Sequence, residues 1–280
     1  MGGKAQSDML LSARLSVQYG EKRPVLDNVE LDIGHGEVLG LVGQSGSGKS
    51  TLAMAILGLL QGKKTRVRGS ICFEGLDLLS LSERELRKLR GRKISLVLQS
   101  PLSSLNPALR IRTQLREAWR VHLSGTDSDC DRMLCTALDS VSLPSDDQFQ
   151  RKFPSQMSVG QAQRVLIAMA VLHHPALLIA DEATSALDVI TQSEILALFR
   201  ELNRKTGMSL LYISHDLSSV AAICDRIAIL SQGRIVETGT TQQIFCDPKH
   251  EYTRRLVAAM PKVLTSRPEQ KGKAAGASTN

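Results

Sequence analysis

Short apolar runs that are typical of buried strands alternate with helical patterns along much of the chain. These runs lie at Glu37 to Val42, Lys93 to Leu98, Ala176 to Ala180, Leu210 to Ile213 and Arg226 to Leu230. Strands that alternate with helices usually form a largely parallel sheet, because each helix returns the chain to the same end of the sheet. The pattern therefore predicts an α/β domain.

The middle of the chain has a different pattern. From about Pro101 to Leu172 the apolar positions follow helical spacing, and this stretch contains Trp119. We expect a helical subdomain at about residues 100–172, inserted into a core that comprises about residues 10–99 and 173–247.

Local signals add two shorter helices to this outline. Ser82 followed by Glu85 indicates a capping box, which opens a helix before the strand at Lys93. A second helix is expected over Ser50 to Leu60, directly after a strand at Val38 to Val42.

Composition limits what the chain can be. Its 280 residues are 42% hydrophobic, which is ample for a buried core. The longest clean apolar stretches, such as Val165 to Leu172, are far shorter than the roughly 20 residues that span a bilayer. The N-terminal sequence MGGKAQSD has no apolar signal segment, and Gln6 stands where a myristoylation motif needs Ser or Thr. We therefore expect a cytosolic protein.

Charge and cysteine content exclude further classes of protein. The five cysteines include no CxxC pair, so neither a zinc site nor a disulfide framework is indicated. The net charge of +7 could suit nucleic acid, but aromatic residues make up only 3% of the chain, which leaves no platform for base stacking. Residues 262–280 are polar and poor in large hydrophobic side chains, and we expect them to form a disordered tail.

One motif indicates a phosphate-binding loop. Residues 43–50, GQSGSGKS, match the pattern GxxxxGK[ST] and lie between a predicted strand and a predicted helix. The glycines let backbone N–H groups surround a β-phosphate, and the N-terminus of the helix adds positive potential. Lys49 is expected to bridge the β- and γ-phosphates and Ser50 to ligate Mg²⁺. The expected ligand is a nucleoside triphosphate.

Two adjacent carboxylates follow a later strand. The apolar run Leu177 to Ala180 ends in Asp181 and Glu182. Buried carboxylates are costly unless a metal ion or a substrate compensates them. We expect Asp181 to join the Mg²⁺ shell and Glu182 to accept the proton of a water molecule that attacks the γ-phosphorus.

The order of these motifs resembles that of the nucleotide-binding subunits of ABC transporters, from about Leu11 to Pro261. Tyr19 resembles the aromatic residue that stacks on adenine, Gln99 the Q-loop glutamine and His215 the switch histidine. The resemblance implies one ABC-type nucleotide-binding domain over residues 1–261, with a P-loop NTPase core, a mainly parallel sheet, an antiparallel β subdomain and an inserted helical subdomain. The implied contacts to ATP are Tyr19, Gly43, Gln44, Ser45, Gly46, Ser47, Gly48, Lys49, Ser50, Thr51 and Gln99.

The same resemblance implies catalysis by Glu182, His215 and Lys49, and Mg²⁺ ligation by Ser50, Gln99 and Asp181. In this family two subunits sandwich two ATP molecules head to tail. Each ATP then lies between the Walker A motif of one chain and the signature of the other. The residues that resemble the signature are Ser158, Val159, Gly160 and Gln161, and Asp188 resembles the D-loop aspartate.

Val159 departs from the family pattern, which has glycine at this position. Because the signature acts in trans, one hypothesis is that the site built on the partner's Walker A motif is weakened, while the site built on Lys49 and Glu182 stays active. The alternative is that valine is tolerated because only its backbone contacts the phosphate.

Two further stretches resemble the oligopeptide, dipeptide and nickel importers. They are the extension of the Q-loop from Gln99 to Pro107 and the motif from Pro248 to Pro261. This resemblance implies a heterodimer with a second ATPase subunit, two transmembrane permease subunits and an extracytoplasmic solute-binding protein. It places the chain on the cytoplasmic face of the inner membrane, with peptides or nickel as cargo. Because no cysteine follows Cys246, we expect no iron–sulfur cluster.

Other functions were weighed against this interpretation. A soluble ABC ATPase that acts on DNA would carry a long coiled coil between Gln99 and Ser158, and no sustained heptads occur there. Ribosomal relatives usually carry two ATPase domains in one chain. A GTPase or small-molecule kinase would not explain the signature, and no NKxD motif is present. A regulatory subunit that binds ATP without hydrolysing it is disfavoured by Glu182 and His215.

Overall fold

The computed structural model describes residues 9–60, 62 and 64–260. The predicted disordered tail and the N-terminal segment with Gln6 lie outside these residues. The strands are β1 (Met9–Tyr19), β2 (Leu26–Gly34), β3 (Val38–Val42), β4 (Thr65–Phe73), β5 (Leu76–Asp77), β6 (Ile94–Val97), β7 (Leu177–Asp181), β8 (Ser209–Ser214), β9 (Arg226–Ser231) and β10 (Arg234–Thr240). The α-helices are α1 (Lys49–Ile56), α2 (Glu83–Leu89), α3 (Pro101–Ser104), α4 (Ile111–Arg120), α5 (Asp127–Ser140), α6 (Asp147–Gln150), α7 (Val159–Val171), α8 (Val189–Thr206), α9 (Leu217–Ile223), α10 (Thr241–Cys246) and α11 (Glu251–Ala258).

The larger sheet has six strands in the order β10-β9-β3-β8-β7-β6. Its neighbouring strands are parallel except for β10, which runs antiparallel to β9. The five strands predicted from apolar runs are β3 and β6 to β9, and each observed end lies within one residue of the predicted end. The predicted α/β fold with a mainly parallel sheet is confirmed.

The central strands are apolar throughout because both faces of this sheet are covered. Every residue of β3, β7 and β8 is buried, as is usual for parallel strands between two layers. Leu39 and Leu211 pack into one apolar cluster with the antiparallel strands and α1. Val38 and Leu210 point to the opposite face and pack in a second apolar cluster with helices α4 to α8.

A second sheet forms the antiparallel β subdomain expected for the family. Its order is β2-β1-β4-β5. Along β1 the side chains of Leu11, Ala13, Leu15 and Val17 are buried, while the residues between them are partly exposed. This period of two is the pattern of a half-buried strand. The apolar side of the sheet covers the face of the larger sheet that carries Leu39.

The helix expected over Ser50 to Leu60 ends earlier, at Ile56. Gly58 adopts a left-handed backbone angle, with φ of +63°, which ends a helix readily because glycine has no Cβ. The guanidinium of Arg90 donates to the carbonyls of Leu57 and Gly58 at 2.7 and 2.9 Å. The side chain of Arg90, which is distant in sequence, therefore supplies hydrogen bonds to carbonyl groups at the C-terminal end of α1.

The stretch predicted to be helical contains α3 to α7. The side chains of Ile111, Leu134 and Val165 from this stretch belong to the same apolar cluster as strands β3, β7 and β8. In the part of the chain that the structure describes, no helix is both long and apolar enough to cross a bilayer.

Candidate nucleotide-binding site

The candidate site lies at the C-terminal ends of three neighbouring parallel strands of the larger sheet, β3, β8 and β7. Val42 at the end of β3 pairs with Ser214 at the end of β8, and Asp181 at the end of β7 pairs with Ile213. The residues that follow these strand ends are Gly43, Glu182 and His215. Parallel pairing therefore brings three motifs together that are widely separated in sequence.

The phosphate loop needs its glycines for distinct reasons. Gly46 and Gly48 have φ values of +79° and +109°, which side chains other than hydrogen disfavour. A Cβ on Gly43 would lie 2.3 Å from the carbonyl oxygen of Leu230. Gly48 also starts helix α1, where no side chain caps the helix and the first turn contains no acidic residue. The first amides of α1 are therefore free to bind an anion.

Lys49 folds back over this loop. Its side chain is only 5% exposed, and Nζ donates to the carbonyl oxygens of Gly43 and Gln44 at 2.8 and 3.1 Å. Nζ also lies 3.6 Å from Oε1 of Glu182. The loop and the end of β7 thus share one buried cation.

Asp181 is buried beside the start of α1. Burial raises the pKa of its carboxyl group above the ordinary value, as does the charge of Glu182, while a hydrogen bond from the Ser50 hydroxyl and the charge of Lys49 act in the opposite direction. Its Oδ1 atom is buried and has no hydrogen-bond partner among the described residues. A buried carboxylate oxygen without a partner is costly, and a cation would compensate it.

The donors at this point fit Mg²⁺. Ser50 and Asp181 offer hard oxygen atoms, which this ion prefers, and Mg²⁺ usually binds one or two protein carboxylates together with phosphates and water. Within the described residues, no group of three or more His, Cys, Asp and Glu side chains could hold a metal ion. Because Mg²⁺ commonly takes phosphate oxygens as ligands, the pair of Ser50 and Asp181 suits a cation that is shared with a phosphate ligand.

Glu182 has a strained backbone and lies between Lys49 and His215. Its φ is +50°, which costs of order 1 kcal/mol for a residue with a side chain, and its N–H donates to the carbonyl of Ile213 at 2.9 Å. Oε2 lies 3.3 Å from Nδ1 of His215, and the Glu182 side chain is 21% exposed. The carboxylate thus lies between Lys49 Nζ and His215 Nδ1.

Asp188 lies outside this cluster and starts helix α8. Its carboxylate accepts hydrogen bonds from the amides of Ile190 and Thr191 at 3.1 and 3.0 Å. These amides and the Thr191 hydroxyl lower the pKa of Asp188. The preceding turn is joined to the site because Ser185 donates both its hydroxyl and its N–H to the carbonyl of Glu182.

The predicted signature residues form the start of helix α7. Ser158 is the N-cap and accepts a hydrogen bond from the amide of Gln161 at 3.2 Å, while the Gln161 side chain accepts from the amide of Ser158. Val159 is 38% exposed. A Cβ on Gly160 would lie 2.7 Å from Cγ2 of Thr191. Gly160 therefore lets α7 approach the start of α8 closely.

Gln99 and Tyr19 are not joined to this cluster by side-chain contacts. Gln99 is exposed and lies two residues beyond β6, whose Val97 pairs with Ala180 of β7. Tyr19 ends β1 and is 37% exposed. Two positions earlier, Val17 pairs with Leu26, and Leu26 fills the space that a Cβ on Gly48 would need.

Two supports of the phosphate loop were missed in the sequence. The amide of Gly233, in the turn between β9 and β10, donates to the carbonyl of Ser47 at 3.1 Å. The amide of Gln44 donates to the hydroxyl of Tyr252 on α11 at 3.2 Å. A glycine after an apolar strand, as at Gly233, is a recognisable turn signal. The sequence around Gly233 and Tyr252 nevertheless gives no indication that either residue contacts the phosphate loop.

Known proteins are similar to this chain over most of its length. A protein-family model described as ABC transporter matches residues 26–185. The chain is 44% identical over 258 residues to the peptidoglycan transport ATP-binding protein YejF of Agrobacterium fabrum, covering 90% of this chain and 47% of that protein. It is 41% identical over 253 residues to the oligopeptide transport ATP-binding protein OppD of Bacillus subtilis, covering 90% and 71%. The chain thus spans about half the length of the first relative and most of the second.

A solved structure shares the fold. The dimeric post-hydrolysis state of the ATP-binding cassette MJ0796, bound to ADP and Pi, has a TM-score of 0.71 and 27% sequence identity, covering 82% of this chain and 98% of that chain. The family match extends over more than half of the chain and includes the phosphate loop and the end of β7. The chain belongs to the ABC transporter family and is one of its ATPase subunits.

Proposed function

We propose that the chain hydrolyses ATP at the C-terminal ends of β3, β7 and β8 and thereby drives a peptide importer. The observation that carries this proposal is the position of Glu182. Its Oε1 atom lies 3.6 Å from Lys49 Nζ, and its Oε2 atom lies 3.3 Å from His215 Nδ1. A carboxylate held between these groups, beside a loop shaped for phosphates, suits a general base for a water molecule.

The phosphate loop supplies binding and orientation. The amides of residues 45–51 would surround the β- and γ-phosphates, with Tyr19 beside the adenine, while the Gln44 amide donates to the Tyr252 hydroxyl. A bound triphosphate offers Lys49 oxygen atoms with more charge than the carbonyls of Gly43 and Gln44, so the ammonium can transfer its hydrogen bonds to the phosphates. Glu182 would remain beside the γ-phosphate, where its carboxylate can accept the proton of the attacking water.

His215 would act on the γ-phosphate. Its side chain is 55% exposed at the open side of the site, and Nδ1 faces Glu182. When the imidazole carries a proton on Nε2, that nitrogen can donate to a phosphate oxygen and stabilise charge that develops during transfer. Ser50, Asp181 and Gln99 would hold Mg²⁺, which neutralises phosphate charge when bound.

A complete site requires a second ATPase subunit. Ser158, Val159, Gly160 and Gln161 begin helix α7 and make no side-chain contact with Lys49 or Glu182 among the described residues. Their proposed role is to close the ATP site of a partner chain, with Asp188 at the same interface. The dimer of MJ0796 supports such pairing, and a heterodimer is the arrangement implied by the importers that the chain resembles.

The proposed assembly contains two transmembrane permease subunits and an extracytoplasmic solute-binding protein. The chain would lie peripherally on the cytoplasmic face of the inner membrane. Peptides are the proposed cargo because the relatives are named for oligopeptide and peptidoglycan transport. Nickel stays a prediction from the sequence, without support from these names.

The proposal is tested on the complex purified from membranes through a tag on this chain and reconstituted in vesicles. ATPase activity should rise when the binding protein is loaded with peptides and should stay at the basal rate when it is loaded with Ni²⁺. If Ni²⁺ stimulated the ATPase activity and peptides did not, nickel would be the cargo and the proposal of peptide import would be wrong. A chain that purifies without permeases and keeps full ATPase activity would overturn the assignment to a transporter.

A further inference from the structure

The motif near the end of the described chain contacts the phosphate loop directly. Helix α11 begins after His250, and its residue Tyr252 accepts a hydrogen bond from the amide of Gln44 at 3.2 Å. Arg255 and Leu256 from the same helix and Ala259 directly after it line a cleft of about 480 Å³ together with Gln44 and other loop residues.

The hydrogen bond to Tyr252 involves the peptide group between Gly43 and Gln44. The carbonyl of Gly43 and the amide of Gln44 belong to the same peptide group, in which C=O and N–H point in opposite directions because the group is planar and trans. The Gly43 carbonyl accepts from Nζ of Lys49 at 2.8 Å, while the Gln44 amide donates to Tyr252. The orientation of this peptide is thus fixed from both sides.

Helix α11 is itself anchored firmly enough to hold this position. The carboxylate of Glu237 on β10 accepts hydrogen bonds from the amides of Lys249 and His250 at 2.7 and 2.9 Å. The imidazole of His250 caps the helix by accepting from the amide of Tyr252 at 3.1 Å. Leu256 packs against the apolar cluster of the larger sheet.

We propose that Tyr252 is a positioning residue for nucleotide binding: its hydroxyl sets the orientation of the Gly43–Gln44 peptide, and through it the position of the Lys49 ammonium. A loop that is held in its binding conformation binds more tightly because less ordering is required on binding. Loss of the hydroxyl frees the peptide to rotate, and rotation removes an acceptor from Lys49. This inference rests on the proposed role of Lys49 in binding ATP.

The test compares the full chain with its Tyr252→Phe variant, which keeps the ring and removes only the hydroxyl. Affinities for ATP and ADP are measured by calorimetry, and hydrogen–deuterium exchange is followed in peptides covering residues 43–50. We expect affinity for both nucleotides to fall about three- to tenfold, the range for one hydrogen bond, and exchange in the loop to rise. In the assembled complex KM for ATP should rise, with kcat within about twofold of wild type.

The controls separate this role from general packing and from failure of the ATP site. Ala258→Ser changes an exposed side chain of the same helix and should leave affinity and loop exchange unchanged. If Lys49→Ala binds ATP more weakly than wild type, but Tyr252→Phe matches wild type in affinity and loop exchange, the inference is wrong and the ATP site stands. It is also wrong if exchange rises equally across the strands of the larger sheet, since that indicates general destabilisation. If wild type itself binds no nucleotide, the proposed function fails first.

Discussion

Nδ1 of His215 lies 3.3 Å from Oε2 of Glu182, although the two residues follow different strands of the larger sheet. The pairing of β7 with β8 places Asp181 opposite Ile213, so the next residues of both strands approach one another. This relationship joins the proposed general base to the proposed γ-phosphate contact.

His215→Ala should lower ATPase turnover of the assembled complex about 10²- to 10³-fold, the range for removal of one preorganised donor in an active site. Nucleotide affinity should change little, because Lys49 and the loop amides supply most of the binding. The matched control is His35→Ala, which removes an exposed histidine from the turn before β3. Equal turnover in both variants would contradict the role given to His215.

Lys49→Ala should weaken ATP binding about 10- to 100-fold, since hydrogen bonds to charged groups contribute roughly 1.5–3 kcal/mol. Calorimetric titration of the purified chain with ATP measures this change. Lys88→Ala, on the exposed side of α2, serves as control. Unchanged affinity in Lys49→Ala would contradict the proposed phosphate contact.

Val159→Gly tests the hypothesis that valine weakens the composite site of the partner. The measurement uses assembled complexes in which Glu182→Gln has already removed turnover at the site built on Lys49. The remaining ATPase activity then comes from the partner's Walker A motif and this chain's signature. We expect Val159→Gly to raise it several-fold. No change would favour the alternative that only the backbone at this position contacts the phosphate.

Glu237 gives a prediction for pH. Burial raises the pKa of its carboxyl group, but the amides of Lys249 and His250 lower it by more, so that the pKa lies below its ordinary value of 4.5. Such a group binds fewer protons in the folded than in the unfolded chain near this pH. Its stabilising contribution is therefore fully present above pH 4.5 and is lost as the pH falls through the lowered pKa.

The corresponding measurement is the thermal unfolding midpoint of wild type and of Glu237→Gln between pH 7 and pH 3. At pH 7 the variant should unfold about 2 °C lower, which corresponds to about 1 kcal/mol for a half-buried carboxylate in a chain of this size. The difference should shrink below pH 4.5. A difference that stays constant down to pH 3 would show that the charge of Glu237 does not hold the segment before α11.

Much of the fold could be predicted because its signals are local. The apolar runs of β3, β7 and β8 mark strands buried on both faces, and the glycine and lysine pattern marks the turn into α1. Strand β1 also carried a readable signal, since Leu11, Ala13, Leu15 and Val17 alternate with more exposed residues.

Other features depend on contacts between distant residues and could not be predicted from the sequence. The end of α1 is fixed by Arg90, which reaches the carbonyls of Leu57 and Gly58. The contact between Tyr252 and Gln44 requires knowledge of where α11 packs. The positive φ of Glu182 accompanies the hydrogen bond of its amide to the carbonyl of Ile213 on the neighbouring strand, and no sequence motif specifies that geometry.

The central claim is that Glu182 acts as the general base for ATP hydrolysis, and Glu182→Gln tests it most directly. In the assembled complex we measure single-turnover hydrolysis at the site built on Lys49 together with ATP affinity, and Glu201→Gln on the exposed side of α8 serves as control. Hydrolysis at this site should fall about 10²- to 10⁴-fold, with ATP affinity equal to or higher than that of wild type. Hydrolysis at the wild-type rate in Glu182→Gln would contradict the account.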